Sequence, residues 1–129
     1  MGSFRTPLAR VRGLGSAKSG TGHFWQQRAT AIAGVPLVAF LIWLALSVAG
    51  ADYQAARLTL SHPVVTILLG LTFLVLFKHM RLGMQVIIED YVHAEGWKTA
   101  CLLANTVFTY AAVAAAVYAL ARLSFGAVQ

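Results

Sequence analysis

The sequence is poor in charged residues, and especially in acidic ones. Charged residues make up 11% of its 129 residues, against about 25% in ordinary globular proteins. Hydrophobic residues make up 59%, and most of them lie in three long apolar runs. This composition excludes an ordinary soluble domain and predicts a polytopic membrane protein. The acidic residues are Asp52, Glu89, Asp90 and Glu95.

Cysteine is nearly absent as well. Cys101 is the single cysteine, which excludes an intrachain disulfide and a metal site built from several cysteines. We interpret it as a small buried residue near the start of the third apolar run. Residues 13–20 superficially resemble a phosphate-binding loop, but the lysine precedes the last glycine and no strand comes before it. A P-loop is therefore rejected.

The net charge of +6 raises the question of a nucleic-acid partner. The basic residues lie at the predicted membrane boundaries, however, and do not spread over a folded surface, so we expect no nucleic-acid binding. Half of them precede the first apolar run, which by the positive-inside rule places the N-terminus in the cytoplasm. These five are Arg5, Arg10, Arg12, Lys18 and Arg28.

The apolar runs predict three membrane-spanning helices, at about residues 29–49, 63–88 and 99–123. Residues 1–28 are predicted as a cytoplasmic N-terminal arm, loose as far as about residue 22, and residues 29–129 as the transmembrane unit. A short outer loop connects the first two helices. The alanine-rich third helix suits close packing, because small residues let membrane helices approach one another. The predicted fold class is all-α, with the C-terminus outside.

One stretch of the second helix carries most of the chemical information. His79 and Asp90 are eleven residues apart, and at 100° per residue they differ by only about 20° around the helix and by about 16.5 Å along it. Gly83 and Val86 lie between them on much the same stripe. A glycine one turn from a histidine removes a side chain that would obstruct a flat macrocycle.

An ionisable residue inside a membrane helix indicates a functional site by default, and His79 is such a residue. Imidazole is a good axial ligand of heme iron. The other histidines, His23, His62 and His93, lie at membrane boundaries, so a second axial ligand would have to come from another chain. The alternative is that His79 only forms a hydrogen bond to a neighbouring helix.

Asp90 and Tyr91 lie where the second helix reaches the cytoplasmic boundary. A tyrosine hydroxyl can donate to a quinone carbonyl, and a nearby carboxylate can relay protons as the quinone is reduced. The alternative is an interfacial tyrosine beside a solvated acid. Arg28 enters the membrane from the same side and could pair with Asp90 or with a heme propionate; otherwise it is a charge that sets topology.

These residues form a pattern that resembles a known family. His79, Gly83, Gln85, Asp90 and Tyr91, followed by valine, resemble the end of the second helix in the hydrophobic membrane anchors of succinate dehydrogenase, respiratory complex II. Residues 19–32, which include the run Arg-Ala-Thr-Ala-Ile, resemble the entry to the first helix in the same family, especially in alphaproteobacterial members. The resemblance covers nearly the whole chain.

The resemblance implies a location, a set of site residues and a set of partners. His79 would be one axial ligand of a heme b whose other ligand comes from the companion cytochrome b556 anchor subunit, packed beside this chain in the bacterial cytoplasmic (inner) membrane. Tyr91 would bind ubiquinone with Asp90 close by, and Arg28 would lie near the heme propionates and the quinone pocket. A flavoprotein subunit and an iron–sulfur subunit would dock on the cytoplasmic face and pass electrons from succinate to ubiquinone.

Other functions predict different features. A transporter or channel subunit needs an ionisable path across the membrane, whereas the first span has no charge and the third has only Asn105 and a terminal Arg122 as polar groups of note. A cofactor-free assembly subunit predicts that His79 and Tyr91 are dispensable for quinone reduction. The anchor of a fumarate reductase, working in the reverse direction, is a close variant. In none of these does the chain catalyse a reaction alone.

Overall fold

The computed structural model describes residues 6–13 and 20–126, which contain five helices and no strand. Helix α1 spans Pro7–Val11, α2 spans Gly20–Val48 and α3 spans Tyr53–Ser61. Helix α4 spans Pro63–Tyr91 and α5 spans Glu95–Phe125. Of these, α2, α4 and α5 are long and apolar enough to cross a membrane. The structure thus confirms the all-α class with three candidate spans.

The three long helices run alternately up and down, with α4 in the middle. Helix α4 packs against both α2 and α5, whereas α2 and α5 do not approach each other within 8 Å between Cα atoms in the described residues. We call the end where α2 begins, α4 ends and α5 begins the N-terminal end of the bundle. Because α4 has a neighbour on only two sides, its third side is left uncovered: Val64, Ile67, Leu71 and Leu74, spaced by three or four residues, are all exposed.

Little of the apolar surface is buried within this chain. Leu44, Leu69, Leu82 and Ile88 are the buried hydrophobic residues among those described, whereas in water a chain of this size would bury far more. Lipid tails are as apolar as leucine, so helices in a bilayer gain little from hiding such side chains from them. Close packing of the helices depends on small residues instead. At Gly70 on α4, for example, the side chain of Leu120 on α5 comes so near that an added Cβ would lie 3.7 Å from its Cδ1.

Several helix boundaries differ from the prediction. Helix α2 begins at Gly20 and not near residue 29, so the last part of the predicted arm is helical. The first part also contains the short helix α1, while residues 1–5 and 14–19 of the arm lie outside the described residues. The membrane-spanning run simply continues as helix into the polar segment before it, because no proline or turn residue interrupts residues 23–28.

The predicted outer loop contains a helix of its own. Helix α3 begins after Asp52, whose carboxylate accepts a hydrogen bond of 2.9 Å from the backbone N–H of Ala55 and so caps the helix N-terminus. The Arg57 guanidinium donates a hydrogen bond of 2.8 Å to the carbonyl oxygen of Gly126, just beyond α5. This contact ties α3 to the end of the bundle opposite the N-terminal end.

Candidate functional site

His79 lies half-buried on α4 and faces α2. Its Nδ1 is 3.0 Å from the hydroxyl oxygen of Thr30, a buried residue of α2. The hydrogen bond to a neighbouring helix, weighed above as the alternative to metal binding, is therefore present. It does not exclude a ligand, because imidazole has two nitrogens. Within the described residues, Nε2 of His79 has no hydrogen-bond partner.

Gly83, one turn further along α4, lies against the same helix. A Cβ at this position would be 3.6 Å from Nε2 of Gln27, an ordinary van der Waals contact. Gly83 therefore lies in the contact between the two helices that form the Thr30–His79 hydrogen bond, where a methyl group fits and a bulkier side chain would have to displace the Gln27 side chain.

Asp90 and Tyr91 are the last two residues of α4, which runs three residues beyond the predicted end at about 88. Both are exposed, with 77% of Tyr91 accessible. Neither side chain forms a hydrogen bond to another described residue. The structure thus places a carboxylate and a phenol at consecutive, exposed positions at the N-terminal end of the bundle, about three helical turns from His79.

Arg28 makes a different contact from the one considered above. Its guanidinium carbon lies 4.7 Å from the centroid of the Phe24 ring, one turn earlier on α2, a typical cation–π distance. No ion pair joins Arg28 to Asp90 in the described structure. Both side chains are exposed at the N-terminal end, where a ring on the same helix is a nearer partner for the arginine than a carboxylate on α4.

A polar cavity, which the sequence analysis missed, opens between the start of α2 and α4. It has a volume of ≈ 630 Å³, and two buried polar atoms nearby, Nε2 of His23 and Oε1 of Gln27, have no hydrogen-bond partner. The missed signal is a polar stripe at helical spacing in residues 23, 26, 27 and 30, hidden because the helix was predicted to begin at 29. The lining residues are Thr21, Gly22, His23, Gln26, Arg81, Leu82 and Gln85.

Helix α5 holds α4 close to this cavity. The side-chain amide of Asn105 donates a hydrogen bond of 3.0 Å to the carbonyl oxygen of Arg81, two residues after His79. The Arg81 guanidinium carbon lies 5.5 Å from the centroid of the Tyr110 ring. The Tyr110 ring thus gives the Arg81 guanidinium a cation–π partner within the spanning helices, two residues from His79. Cys101, predicted to be buried, is half-buried near the start of α5.

Comparison with known proteins gives a consistent result. Residues 3–120 match the family described as "Succinate dehydrogenase/Fumarate reductase transmembrane subunit". The chain is 31% identical over 123 residues to the "Succinate dehydrogenase hydrophobic membrane anchor subunit" of Paracoccus denitrificans, covering 95% of both chains. It is 31% identical over 116 residues to the protein of the same name from Rickettsia bellii, covering 90% of this chain and 93% of the relative. No solved structure matches the chain.

These matches identify both the family of the chain and the kind of subunit it is. The family match extends over all of α2 and α4 and most of α5, and the two bacterial relatives are membrane anchor subunits. The resemblance inferred from the sequence is thus confirmed. The chain belongs to the family of succinate dehydrogenase and fumarate reductase transmembrane subunits, as a non-catalytic membrane anchor subunit of succinate dehydrogenase.

Proposed function

We propose that this anchor supplies His79 as one axial ligand of a heme b and contributes Tyr91 and Asp90 to a ubiquinone site. The observation that carries the heme proposal is the state of the His79 ring. Its Nδ1 is occupied by Thr30, as is usual for a metal-bound histidine whose other nitrogen is held by a hydrogen bond. Its Nε2 has no partner within the described residues and is available to bind iron.

The residues present fit such a group. His79 would provide one ligand and the companion cytochrome b556 subunit the other, since the remaining histidines, at positions 23, 62 and 93, lie near the ends of helices or just beyond them. Bound between them, heme b supplies a one-electron redox centre whose potential depends on its axial ligands. Arg28 would bind a propionate or line the quinone pocket, since its guanidinium is exposed and in no ion pair.

Tyr91 and Asp90 would act together on the quinone. The Tyr91 hydroxyl would donate a hydrogen bond to a quinone carbonyl and polarise it. The Asp90 carboxylate, exposed to water at the same helix end, would hold and deliver the proton that the reduced oxygen needs. Their position at the N-terminal end of the bundle supports this role, because a quinone head group at the membrane surface can exchange protons with water there.

The uncovered surface of α4 supports a companion subunit. Its exposed apolar stripe would pack against the cytochrome b556 subunit within the bilayer. The flavoprotein and iron–sulfur subunits would dock at the N-terminal end, which the distribution of basic residues assigns to the cytoplasm. In this arrangement the complex lies in the bacterial inner membrane and passes electrons from succinate to ubiquinone. An anchor of fumarate reductase would use the same residues, and the family description covers both enzymes.

The test is a reduced-minus-oxidised visible spectrum of the purified complex, in the native form and with His79→Ala. We expect a b-type α-band that is lost or shifted in the variant. His93→Ala, which removes an exposed histidine just beyond α4, is the matched control and should leave the band unchanged. An intact native complex without a heme band would contradict the heme proposal, and so would a heme band that His79→Ala leaves unchanged. Either result would favour a cofactor-free assembly subunit.

A further inference from the structure

Three polar atoms surround the hydroxyl of Thr30. The carbonyl oxygens of Gln26 and Gln27, on the preceding turn of α2, lie 2.8 and 3.1 Å from Oγ1. Nδ1 of His79 lies 3.0 Å away on the other side. Thr30 itself is only 9% exposed, so water does not compete for these contacts and the hydrogen bonds must be balanced among the groups present.

Counting protons decides the direction of each bond. A threonine hydroxyl carries one proton and can accept through its lone pairs, whereas a carbonyl oxygen can only accept. Backbone carbonyls four residues earlier are the usual acceptors for threonine in a helix, and the contact to Gln26 is the shorter one. The hydroxyl therefore donates to Gln26, and the remaining contact requires that Nδ1 of His79 carries the proton and donates to Thr30.

We propose that Thr30 is a positioning residue for heme ligation: it holds His79 in the Nδ1–H tautomer and so keeps the Nε2 lone pair free for iron. This inference rests on the function proposed above. The same hydrogen bond orients the ring. Because Nδ1–H donates to the Thr30 oxygen, electron density on the ring rises and Nε2 becomes a stronger electron donor. A stronger donor stabilises ferric over ferrous heme, so Thr30 lowers the midpoint potential.

Two other buried threonines show what is particular to Thr30. Thr72 donates to the carbonyl of Leu68 at 2.7 Å, and Thr109 donates to the carbonyl of Asn105 at 2.8 Å. Both repeat the contact of Thr30 with its own helix, and both are at least as buried. Neither has a hydrogen bond to a histidine. They therefore separate the effect of a buried hydroxyl from that of a hydroxyl bonded to His79.

The experiment compares Thr30→Val, Thr30→Ala and Thr30→Ser in the purified complex, with Thr72→Val as the matched control. Heme per complex, the heme midpoint potential and the low-temperature electron paramagnetic resonance spectrum of the ferric heme are measured. We expect Thr30→Val and Thr30→Ala to shift the equilibrium between ferric and ferrous heme about tenfold toward ferrous heme. This corresponds to a rise of about 59 mV in the midpoint potential of a one-electron couple, and the resonance positions of the ferric heme should shift as well. Ser, which keeps the hydroxyl, should restore the native values, and Thr72→Val should not move them.

Failure of this inference can be told apart from failure of the heme proposal. If the native complex contains heme that His79→Ala removes, but Val and Ala at position 30 leave the potential and the resonance spectrum unchanged, then Thr30 does not position His79. If Ser shifts the potential as much as Val does, packing and not the hydroxyl is responsible, and the inference is also wrong. Because Ala is smaller than Thr, it tests the hydroxyl even if Val prevents assembly.

Discussion

At the scale of the residue, the two nitrogens of the His79 imidazole have different surroundings. In a bilayer an ionisable side chain needs a partner for each polar atom. His79 finds one partner within this chain, the Thr30 hydroxyl, and its Nε2 has none among the described residues. In the proposed function the structural role and the ligand role complement each other, since the bond that ties α4 to α2 also orients the nitrogen that we propose binds iron.

Tyr91→Phe should slow quinone reduction without disturbing the heme. The change removes only the hydroxyl that we propose donates a hydrogen bond to the quinone, and loss of one such hydrogen-bond donor costs about 10²-fold in rate. Succinate-driven ubiquinone reduction is compared with succinate oxidation by an artificial dye, which bypasses the quinone site. Tyr53→Phe is the matched control, because Tyr53 is similarly exposed, at 73%, and opens α3 at the opposite end. Equal rates for Tyr91→Phe and native complexes would refute the assignment.

Gly83 should tolerate alanine but not leucine. The added methyl group of alanine meets Gln27 at 3.6 Å, an ordinary contact, whereas leucine must displace Gln27 and push α2 from α4. Overpacking of this kind costs about 1–3 kcal/mol, and it would break the Thr30–His79 hydrogen bond. We therefore expect native heme content in Gly83→Ala and reduced heme content with a lower melting temperature in Gly83→Leu.

Gly96→Leu is the control for that series, since nothing lies within 4 Å of a Cβ at Gly96. It should retain heme and melt as the native complex does. A Gly83→Leu complex with full heme content and native melting temperature would show that α2 and α4 need no close approach at this level.

At the scale of the element, α2 does more than cross the membrane. Its first turns carry the polar stripe, which ends at Thr30 and of which His23 and Gln26 line the cavity, while the rest of the helix is mostly apolar. Helix α4 receives contacts from both sides near His79: the Thr30 hydroxyl from α2 and the Asn105 amide from α5. The central helix is thus held in position at the level of His79, the proposed heme ligand.

Asn105→Leu should weaken the α4–α5 contact modestly. It removes a hydrogen bond of 3.0 Å to the carbonyl of Arg81, and interhelical hydrogen bonds in membrane proteins are worth about 0.6 kcal/mol on average and about 1.7 at most. Thermal melting of the purified complex measures the change. Ser47→Ala is the control, because Ser47 bonds only to the carbonyl of Trp43 in its own helix. If the melting temperature of Asn105→Leu falls no further than that of the control, the Asn105 hydrogen bond does not contribute to the stability of the complex.

For the molecule as a whole, the arrangement of the helices decides which surfaces remain available. Helix α4 lies between α2 and α5, and these outer two helices do not contact each other in the described residues. The three long helices therefore form an open layer. A layer leaves one side of α4 free for another subunit, as an anchor in a complex requires. The short helix α3 covers the opposite end through the Arg57–Gly126 hydrogen bond.

The orientation of the whole chain is tested with fusions of alkaline phosphatase, which is active only outside the cytoplasm. We expect activity when the enzyme follows Gln129 or is inserted after Gly50, and none when it is inserted after Ala94. The reason is the excess of basic residues before the first span, which are retained in the cytoplasm. The reverse pattern of activities would place the N-terminus outside and would move the proposed quinone site to the other face.

The three membrane-spanning helices follow from the sequence alone, because a backbone in lipid must satisfy its own hydrogen bonds and an apolar run of about 20 residues can do so only as a helix. The common face of His79 and Asp90 follows equally from the helical period. The sequence did not reveal the start of α2 at Gly20, helix α3 or the central position of α4. Nor did it reveal that Thr30 meets Nδ1 of His79, 49 residues away in the chain. Such a contact depends on which helices are neighbours and on the depth of each helix in the membrane. Both are decided only when the helices pack, through small residues along α4 and a few interhelical hydrogen bonds.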